Sequence, residues 1–418
     1  MPEDGTGQQL DVAVLGAGIV GISAGIAARQ RGLSVVVIDR REPGSETSYG
    51  NAGILSSGSI LPLNKPSLWS ALPGYLGNTS AALRWDPMWV MRNLDWVARF
   101  LGNAVPSRTR PRAVALNGLI GASLKLHREW IVKANAGQRI RETGWLKAWR
   151  SDATQTAKQE QAFLAEFGIK SDLLDRQAIS ALEPNILPVY KTGLLHSQTA
   201  SVDSPGNVVK AYAQMLKGLG GEVRQSDIKA IEPEDSGWRI VLGDRTVAAR
   251  HVVVALGPWS ADLLRPLGYR VPLAVERGYH QEFTPNPARP LQRPIHDAEG
   301  SFLMSPMENG IRVTSGVELT DRDAPSSFAQ LDMVVPMARG VIEFGSAVAE
   351  PWRGARPTLP DSLPMIGSAP RHQGLWLGFG NQHIGFTTGP ATGAAIAAMI
   401  AGDRPSFDAS AFAPGRYI

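Results

Sequence analysis

The 418-residue chain contains no cysteine. That absence removes disulfides, thiolate nucleophiles, cysteine-ligated zinc, iron–sulfur clusters and any cofactor tethered through sulfur. Long apolar runs are missing too. No stretch approaches the roughly 18 apolar residues of a spanning helix, so membrane contact is expected to be peripheral at most. The opening MPEDGTGQQL has neither a basic start nor an apolar core. No secretory leader is therefore expected, and the chain is placed in the cytoplasm or peripherally at the inner face of the cytoplasmic membrane. Charge of one sign is not concentrated either: Lys+Arg number 42, Asp+Glu 38, and the net charge is +4. The densest basic cluster, Arg108, Arg110 and Arg112, reads as a solvated loop, and no nucleic-acid motif accompanies it. The mildly basic balance suits an acidic small molecule or an anionic surface. His127, His196, His251, His296 and His372 are scattered without metal-ligand spacing, so no metal site is expected.

What is present begins with DVAVLGAGIVGISAGIAARQRGLSVVVIDR. Val12–Leu15 form an apolar run suited to a buried parallel strand. Gly16, Gly18 and Gly21 spell G-x-G-x-x-G at the opening of a helix, with Ile19 and Val20 between them, and Gly32 ends that helix. A second apolar strand, Ser34 to Ile38, ends at Asp39, with Arg40 next. The glycines permit a tight turn and let backbone N–H groups approach a pyrophosphate; the acidic residue can accept ribose hydroxyls. The loop that follows is rich in Gly, Ser, Thr and Asn, where a nicotinamide enzyme would continue with regular βαβ units. It is either a second polar cofactor contact or an ordinary surface loop.

Between Ile60 and Asn103 lie four of the eleven tryptophans, Trp69, Trp85, Trp89 and Trp96. The spacing of Trp89, Leu94, Trp96 and Phe100 suggests one face of an amphipathic helix. That face either packs beneath a loop-rich cap or docks on a membrane or quinone. Helical patterns surround a strand at GWLKAWR, and a helix from Ser204 to Gly221 starts with Pro205. A meander of strands then leads to His251–Leu256 and Gly257. Val271–Phe283, Phe302–Ser305 and Gly310–Glu318 alternate as strands of a largely antiparallel sheet. The expected fold is α/β: a Rossmann-like FAD-binding domain with an interleaved α+β substrate domain. The first comprises 1–60, 195–262 and 350–418; the second comprises 61–194 and 263–349.

Five blocks carry a resemblance over nearly the whole chain: the first βαβ segment, ETSYGNAGIL, ARHVVVALGPWS, WRGARPTLPDSLPMIG and GFGNQHIGFTTGPATG. In this order they resemble the FAD-dependent D-amino acid oxidase superfamily, most of all bacterial D-amino acid dehydrogenases, with glycine and sarcosine oxidases more distant. The resemblance implies that Gly16, Gly18 and Gly21 face the FAD pyrophosphate and Asp39 the ribose. It lays Thr47, Ser48, Asn51, Ala52, Gly53 and Leu55 along the flavin and matches Ile228 to a backbone contact with adenine. Ala255, Gly257 and Trp259 would line the same end. Gly380, Gln382, His383, Ile384, Gly385 and Thr387 would reach the isoalloxazine. One substrate-binding arginine of the glycine oxidases falls on Met307 here, whereas a second matches Arg356, with Arg277 and Arg353 as possible substitutes. The familiar glycine–histidine–glycine becomes Gly380-Asn381-Gln382, with His383 following.

The implied activity is oxidative deamination of a D-amino acid or a proline-like secondary amino acid, with electrons passed to a quinone or other carrier. Lacking cysteine, the chain should hold FAD non-covalently, although a histidyl link stays open. An oxygen-using oxidase, a flavin-binding module without turnover and an NAD-dependent dehydrogenase are the alternatives. Arg356 is read as a carboxylate partner or a structural ion pair to Asp361. Tyr279 and His280 belong either to the pocket or to the core. His383 acts on the flavin or substrate through its ring, or contributes backbone only, or is bound up in structural hydrogen bonds.

Overall fold

The computed structural model describes residues 9–243 and 245–418. Residues 1–8, which carry most of the polar N-terminal stretch, lie outside them. Leu10–Leu15 pairs in parallel with Val35–Asp39 on one side and Thr246–Val254 on the other. These strands are apolar throughout their buried length because a parallel sheet is covered on both faces. Glu222–Gln225 extends one edge in parallel, and Leu375–Phe379 joins Thr246–Val254 in parallel. Gly237–Leu242 and Ile228–Glu234 complete an antiparallel meander on the other edge. Together with Met365–Ser368 they make eight strands among the described residues.

One face of this sheet is covered by four helices: Ile19–Arg29, Pro106–Lys133, Pro205–Gly218 and Gly385–Ile400. The first and last of these approach closely because glycines line their crossing. A Cβ on Gly393 would sit 2.3 Å from Ala24 N and 2.6 Å from Val20 O, and one on Gly389 would meet Ile19 at 2.7 Å. The two glycine-rich turns, more than 300 residues apart in the chain, thus open toward one place.

A second, eleven-stranded sheet is built around Ala274–Pro285. That long strand pairs antiparallel with Trp352–Thr358, Gly310–Thr314, Val317–Leu319 and Phe344–Ala347. The run expected as one strand from Gly310 to Glu318 is two, broken at Ser315-Gly316. A Cβ on Gly316 would meet the Ala81 and Ala82 carbonyl oxygens at 2.3 Å. Trp352–Thr358 belongs to this second sheet although it follows residue 350. We propose that the C-terminal return to the nucleotide domain begins after it.

Two local expectations are corrected. Arg108, Arg110 and Arg112 do not form a loop: they lie at the start of the Pro106–Lys133 helix, which Pro106 initiates. Arg112 is buried and donates to the Asn103 carbonyl at 3.2 Å. Nor do Trp89, Leu94, Trp96 and Phe100 share one helix. Pro87–Arg92 and Leu94–Gly102 are separate helices that meet at Asn93. Trp96 stacks on Phe100 at 4.8 Å and meets Trp89 edge-on, while Leu94 is 60% exposed. Among the described residues no helix is long and apolar enough to cross a membrane.

Gly393→Val should force the first and last helices apart, because the atoms it would meet are backbone. The expected loss is about 1–3 kcal/mol of stability or more, read as a lower denaturant midpoint; an unchanged midpoint would show that the crossing relaxes freely.

Candidate active site

The two sheets enclose a cleft of about 410 Å³, within the ~300–1,000 Å³ usual for small-molecule sites. Its floor is the first strand–turn–helix. Gly16 has φ +110°, and a Cβ there would lie 2.4 Å from the Ala255 carbonyl oxygen. A Cβ on Gly21 would overlap the Gly16 carbonyl at 1.8 Å. These two glycines therefore shape the turn from beneath, whereas Gly18, Ile19 and Val20 line the cleft itself. Gly18 itself offers no side chain to cap the helix, and Ser48 Oγ takes the N–H of Ile19, so the rest of the helix start can face a phosphate. Asp39 also lines the cleft. Its carboxylate accepts from Ala17 N at 2.7 Å and Arg41 N at 3.0 Å, and burial nonetheless raises its pKa.

The Gly/Ser/Thr/Asn loop is fastened on several sides. Ser48 Oγ accepts from Ile19 N at 3.1 Å, and Thr47 donates to the Ala355 carbonyl at 2.8 Å. Arg312, paired with Glu282, donates to the carbonyls of Tyr49 and Asn51. Thr47, Ser48 and Asn51 face the cleft. Ala52, Gly53 and Leu55 lie beneath it: Ile54–Leu55 joins a three-stranded sheet through Ala200–Val202. Gly53, at φ +76°, has no room for a Cβ against the Val202 carbonyl oxygen 2.2 Å away. Arg40 stacks over Trp259 at 4.3 Å, and with Ile228, Ala255 and Gly257 these residues line one end.

The other end is the C-terminal turn. Gly380, Gln382, His383 and Gly385 line the cleft, while Ile384 and Thr387 face inward. Gly380 and Gln382 adopt φ +86° and +53°. Asn381 donates to Thr388 and Thr392, each at 3.0 Å, which ties the turn to the helix it opens. Thr387 donates to the Ile54 carbonyl at 3.0 Å and so links this turn to the earlier loop. The Gly385–Ile400 helix starts without a side-chain cap and directs its positive end at the cleft. His383 is exposed to the cleft it lines. The walls, aided by the Arg356 charge, lower its pKa to about 4. Its carbonyl accepts from Asn51 Nδ2 at 3.4 Å.

The roof comes from the second sheet. Side chains alternate along a strand, so Arg356, Gly354 and Trp352 share one face, opposite Glu276, Gly278 and His280 of the neighbouring strand. The Arg356 guanidinium lies across Gly278, where a Cβ would be 2.3 Å from Nη2. Its one protein bond among the described residues is a long 3.5 Å contact to the Gly316 carbonyl. Asp361 is not its partner; that carboxylate pairs with Arg416 at 2.7 Å. Arg277 and Arg353 are not substitutes either. Arg277 is buried against Glu318 and the carbonyls of Asp321, Ala324 and Pro325, and Arg353 bonds the Ala324 carbonyl. Tyr279 borders the cleft, but its hydroxyl is engaged on the opposite face by Glu318 at 2.5 Å and Ser327 N at 3.1 Å. His280 stacks on Trp352 at 4.9 Å; burial and the charges of Arg312 and Arg356 lower its pKa to about 2. Met307 is buried near Gly53. Sequence reading missed Trp352, Gly354, Gly278 and Thr314 as lining residues. Alternation outward from Arg356 would have found the first two.

A glycine turn with an acidic strand end, roofed by the sheet of a second domain, is the layout of a two-domain, dinucleotide-dependent oxidoreductase. The family described as FAD dependent oxidoreductase, that of D-amino acid oxidase, matches residues 11–399, and the chain belongs to it; FAD is its cofactor. A D-amino-acid oxidase of Bradyrhizobium diazoefficiens is 28% identical over 97% of this chain and 99% of its own length. A D-amino acid dehydrogenase of Rhizobium johnstonii is also 28% identical, over 98% and 100%. The glycine oxidase structure from Geobacillus kaustophilus superposes with a TM-score of 0.77 at 19% identity, covering 99% of this chain and 100% of that one. That likeness concerns the fold.

The residues present fit FAD: two cramped glycines beneath the first turn, an acidic strand end, and a second uncapped helix start at the far end of the same cleft. Asp39→Ala should raise the FAD dissociation constant about 10- to 100-fold, in line with the ~1.5–3 kcal/mol of a hydrogen bond to a charged group. Equilibrium dialysis reads this directly, and unchanged affinity would remove Asp39 from the cofactor site.

Proposed function

We propose that the protein oxidatively deaminates a D-amino acid or a related proline-like secondary amino acid, with electrons leaving to a quinone or similar carrier. The observation that carries this reading is Arg356. Its guanidinium faces the cleft with no carboxylate within 4.0 Å among the described residues, so its donors await an anion. A guanidinium suits a carboxylate because it can bind both oxygens in one plane. The stereochemistry follows the D-amino acid names of both curated relatives.

FAD, when bound, would supply the two-electron acceptor for oxidation of the amine to an imine, which water hydrolyses to the oxo acid. The chain's own part is placement. Arg356 fixes the carboxylate, Gly278 leaves the space in which that guanidinium lies, and the stacked His280 and Trp352 wall the cleft. The helix starting at Gly385 places positive potential where the reduced cofactor gains negative charge. His280 and His383, neutral near pH 7, add hydrogen-bonding capacity without adding cationic charge. We read His383 as the ring closest in role to the cofactor and Tyr279 as support for the wall. The acceptor reading draws on exposed apolar side chains at Trp69, Leu76, Met88, Met91 and Leu94. These suit a carrier or a membrane surface at the periphery.

An anaerobic screen of D- and L-amino acids, prolines and N-methyl amines should bleach the flavin with at least one D-amino acid or proline-like compound. A panel that never bleaches it would leave a flavin-binding module without turnover. Stoichiometric hydrogen peroxide in air would replace the carrier by oxygen. With the best substrate, Arg356→Met should raise KM by the equivalent of about 2–5 kcal/mol; an unchanged KM removes Arg356 from the site. Acid precipitation should release the yellow colour into the supernatant, and colour retained in the pellet would reveal a covalent, histidyl attachment.

A further inference from the structure

Glu276 has no place in the chemistry above, yet it stands opposite Arg356 in the strand register and on the same sheet face. It is 3% exposed, and its Oε2 has no hydrogen-bond partner. On its other side the register brings Leu319, with Trp85 beyond it, and the adjoining Ala274 packs against Trp89 and Trp96. Of the charged groups around it, Arg356 is the one that acts on it. Arg277 and Glu318 pair with each other on the opposite face at 3.1 Å. His280 and His383, which also feel Arg356, are uncharged near neutrality. Glu276 and Arg356 are thus two opposite charges on one sheet face, beyond direct ion-pair distance but acting on each other, with the Thr358 side chain beside the Glu276 carboxyl.

We infer that Glu276 is the proton-linked counter-charge of Arg356: it balances the guanidinium when no ligand is bound and takes up one proton when a ligand carboxylate settles there. The inference rests on the carboxylate-binding reading of Arg356. One guanidinium balances one carboxylate. A second carboxylate in the same low-dielectric space raises the affinity of Glu276 for a proton, because like charges disfavour each other's ionised form. Burial already lifts the Glu276 pKa to about 7, despite the opposing effects of Arg356 and of the Thr358 side chain beside it, so the proton is available near neutral pH. An amino acid arrives as a zwitterion and must lose its ammonium proton before the amine lone pair is free. Above about pH 7, where Glu276 is ionised before binding, that loss and the gain at Glu276 cancel, and the substrate binds with no net proton exchange. A carboxylate lacking an amine must instead draw its proton from solvent. Glu276 is a positioning residue in this scheme, acting through Arg356.

The sign follows from linkage. Below about pH 7 Glu276 is already protonated, and anion affinity is flat; above it, affinity falls about tenfold per pH unit for one proton taken up. Propionate binding to the FAD-loaded enzyme, followed by the change in flavin absorbance, should show this slope. Glu276→Gln should abolish it and bind more tightly at high pH. Calorimetry near pH 8 in two buffers of different ionisation heat should count close to one proton taken up per propionate in the unmodified enzyme, and none in Glu276→Gln. A pH-independent affinity with no proton uptake in the unmodified enzyme overturns the inference, whether or not the variant folds. A slope that survives in Glu276→Gln overturns it too, by assigning the proton elsewhere. Arg356→Met separates the two levels: normal propionate affinity in that variant sinks the carboxylate-binding reading itself. Weak binding there, together with a flat profile in the unmodified enzyme, sinks the role of Glu276 alone.

Discussion

The site depends on one close contact, the crossing of the first and last helices over Gly389 and Gly393. Backbone atoms of Val20 and Ala24 lie where the Cβ of any other residue at Gly393 would have to be. Because the helices meet backbone to backbone at Gly393, with the Ile19 side chain seated against Gly389, their starts open toward the same cleft. Two weakly positive helix ends then face one cleft, an arrangement that would suit a ligand with an anionic pyrophosphate near one end and a reducible ring near the other. The glycine-rich C-terminal turn is thus the second half of a single site.

Upon that base the second sheet adds selectivity by charge. Burial keeps the imidazole of His280 in the roof uncharged near neutrality, and desolvation by the surrounding protein together with the Arg356 charge does the same for His383 across the cleft. Arg356 is therefore the dominant fixed charge above the cleft, and Glu276, opposite it in the strand register, is the one carboxylate acting on it. The aromatic wall of Tyr49, His280 and Trp352 is tightly seated: a Cβ on Gly50 would overlap the Trp352 ring at 1.8 Å.

Much of this was legible in the chain. The apolar run before Gly16, the spacing to Asp39 and the Pro205 helix start are local signals, and each element formed where local chemistry favoured it. The position of Arg356 in the cleft was also expected, but the fate of its neighbours was not. Arg277, Arg353 and Arg356 are equivalent in composition; strand alternation and pairing leave one facing the cleft. Tyr279 follows the same logic, since its hydroxyl is directed to Glu318 by the parity of its strand position. The helix break at Asn93, which parts Leu94 from Trp89, depends on where each short helix finds its packing partner.

Local physics in the sequence determined the nucleotide turn, the class of cofactor and the α/β character of the chain, because backbone sterics and apolar periodicity act over a few residues. Only the tertiary structure decided which arginine is left without a carboxylate and which histidines are held neutral. It also brought Glu276 beside Arg356, since burial and charge proximity arise from strands far apart in sequence.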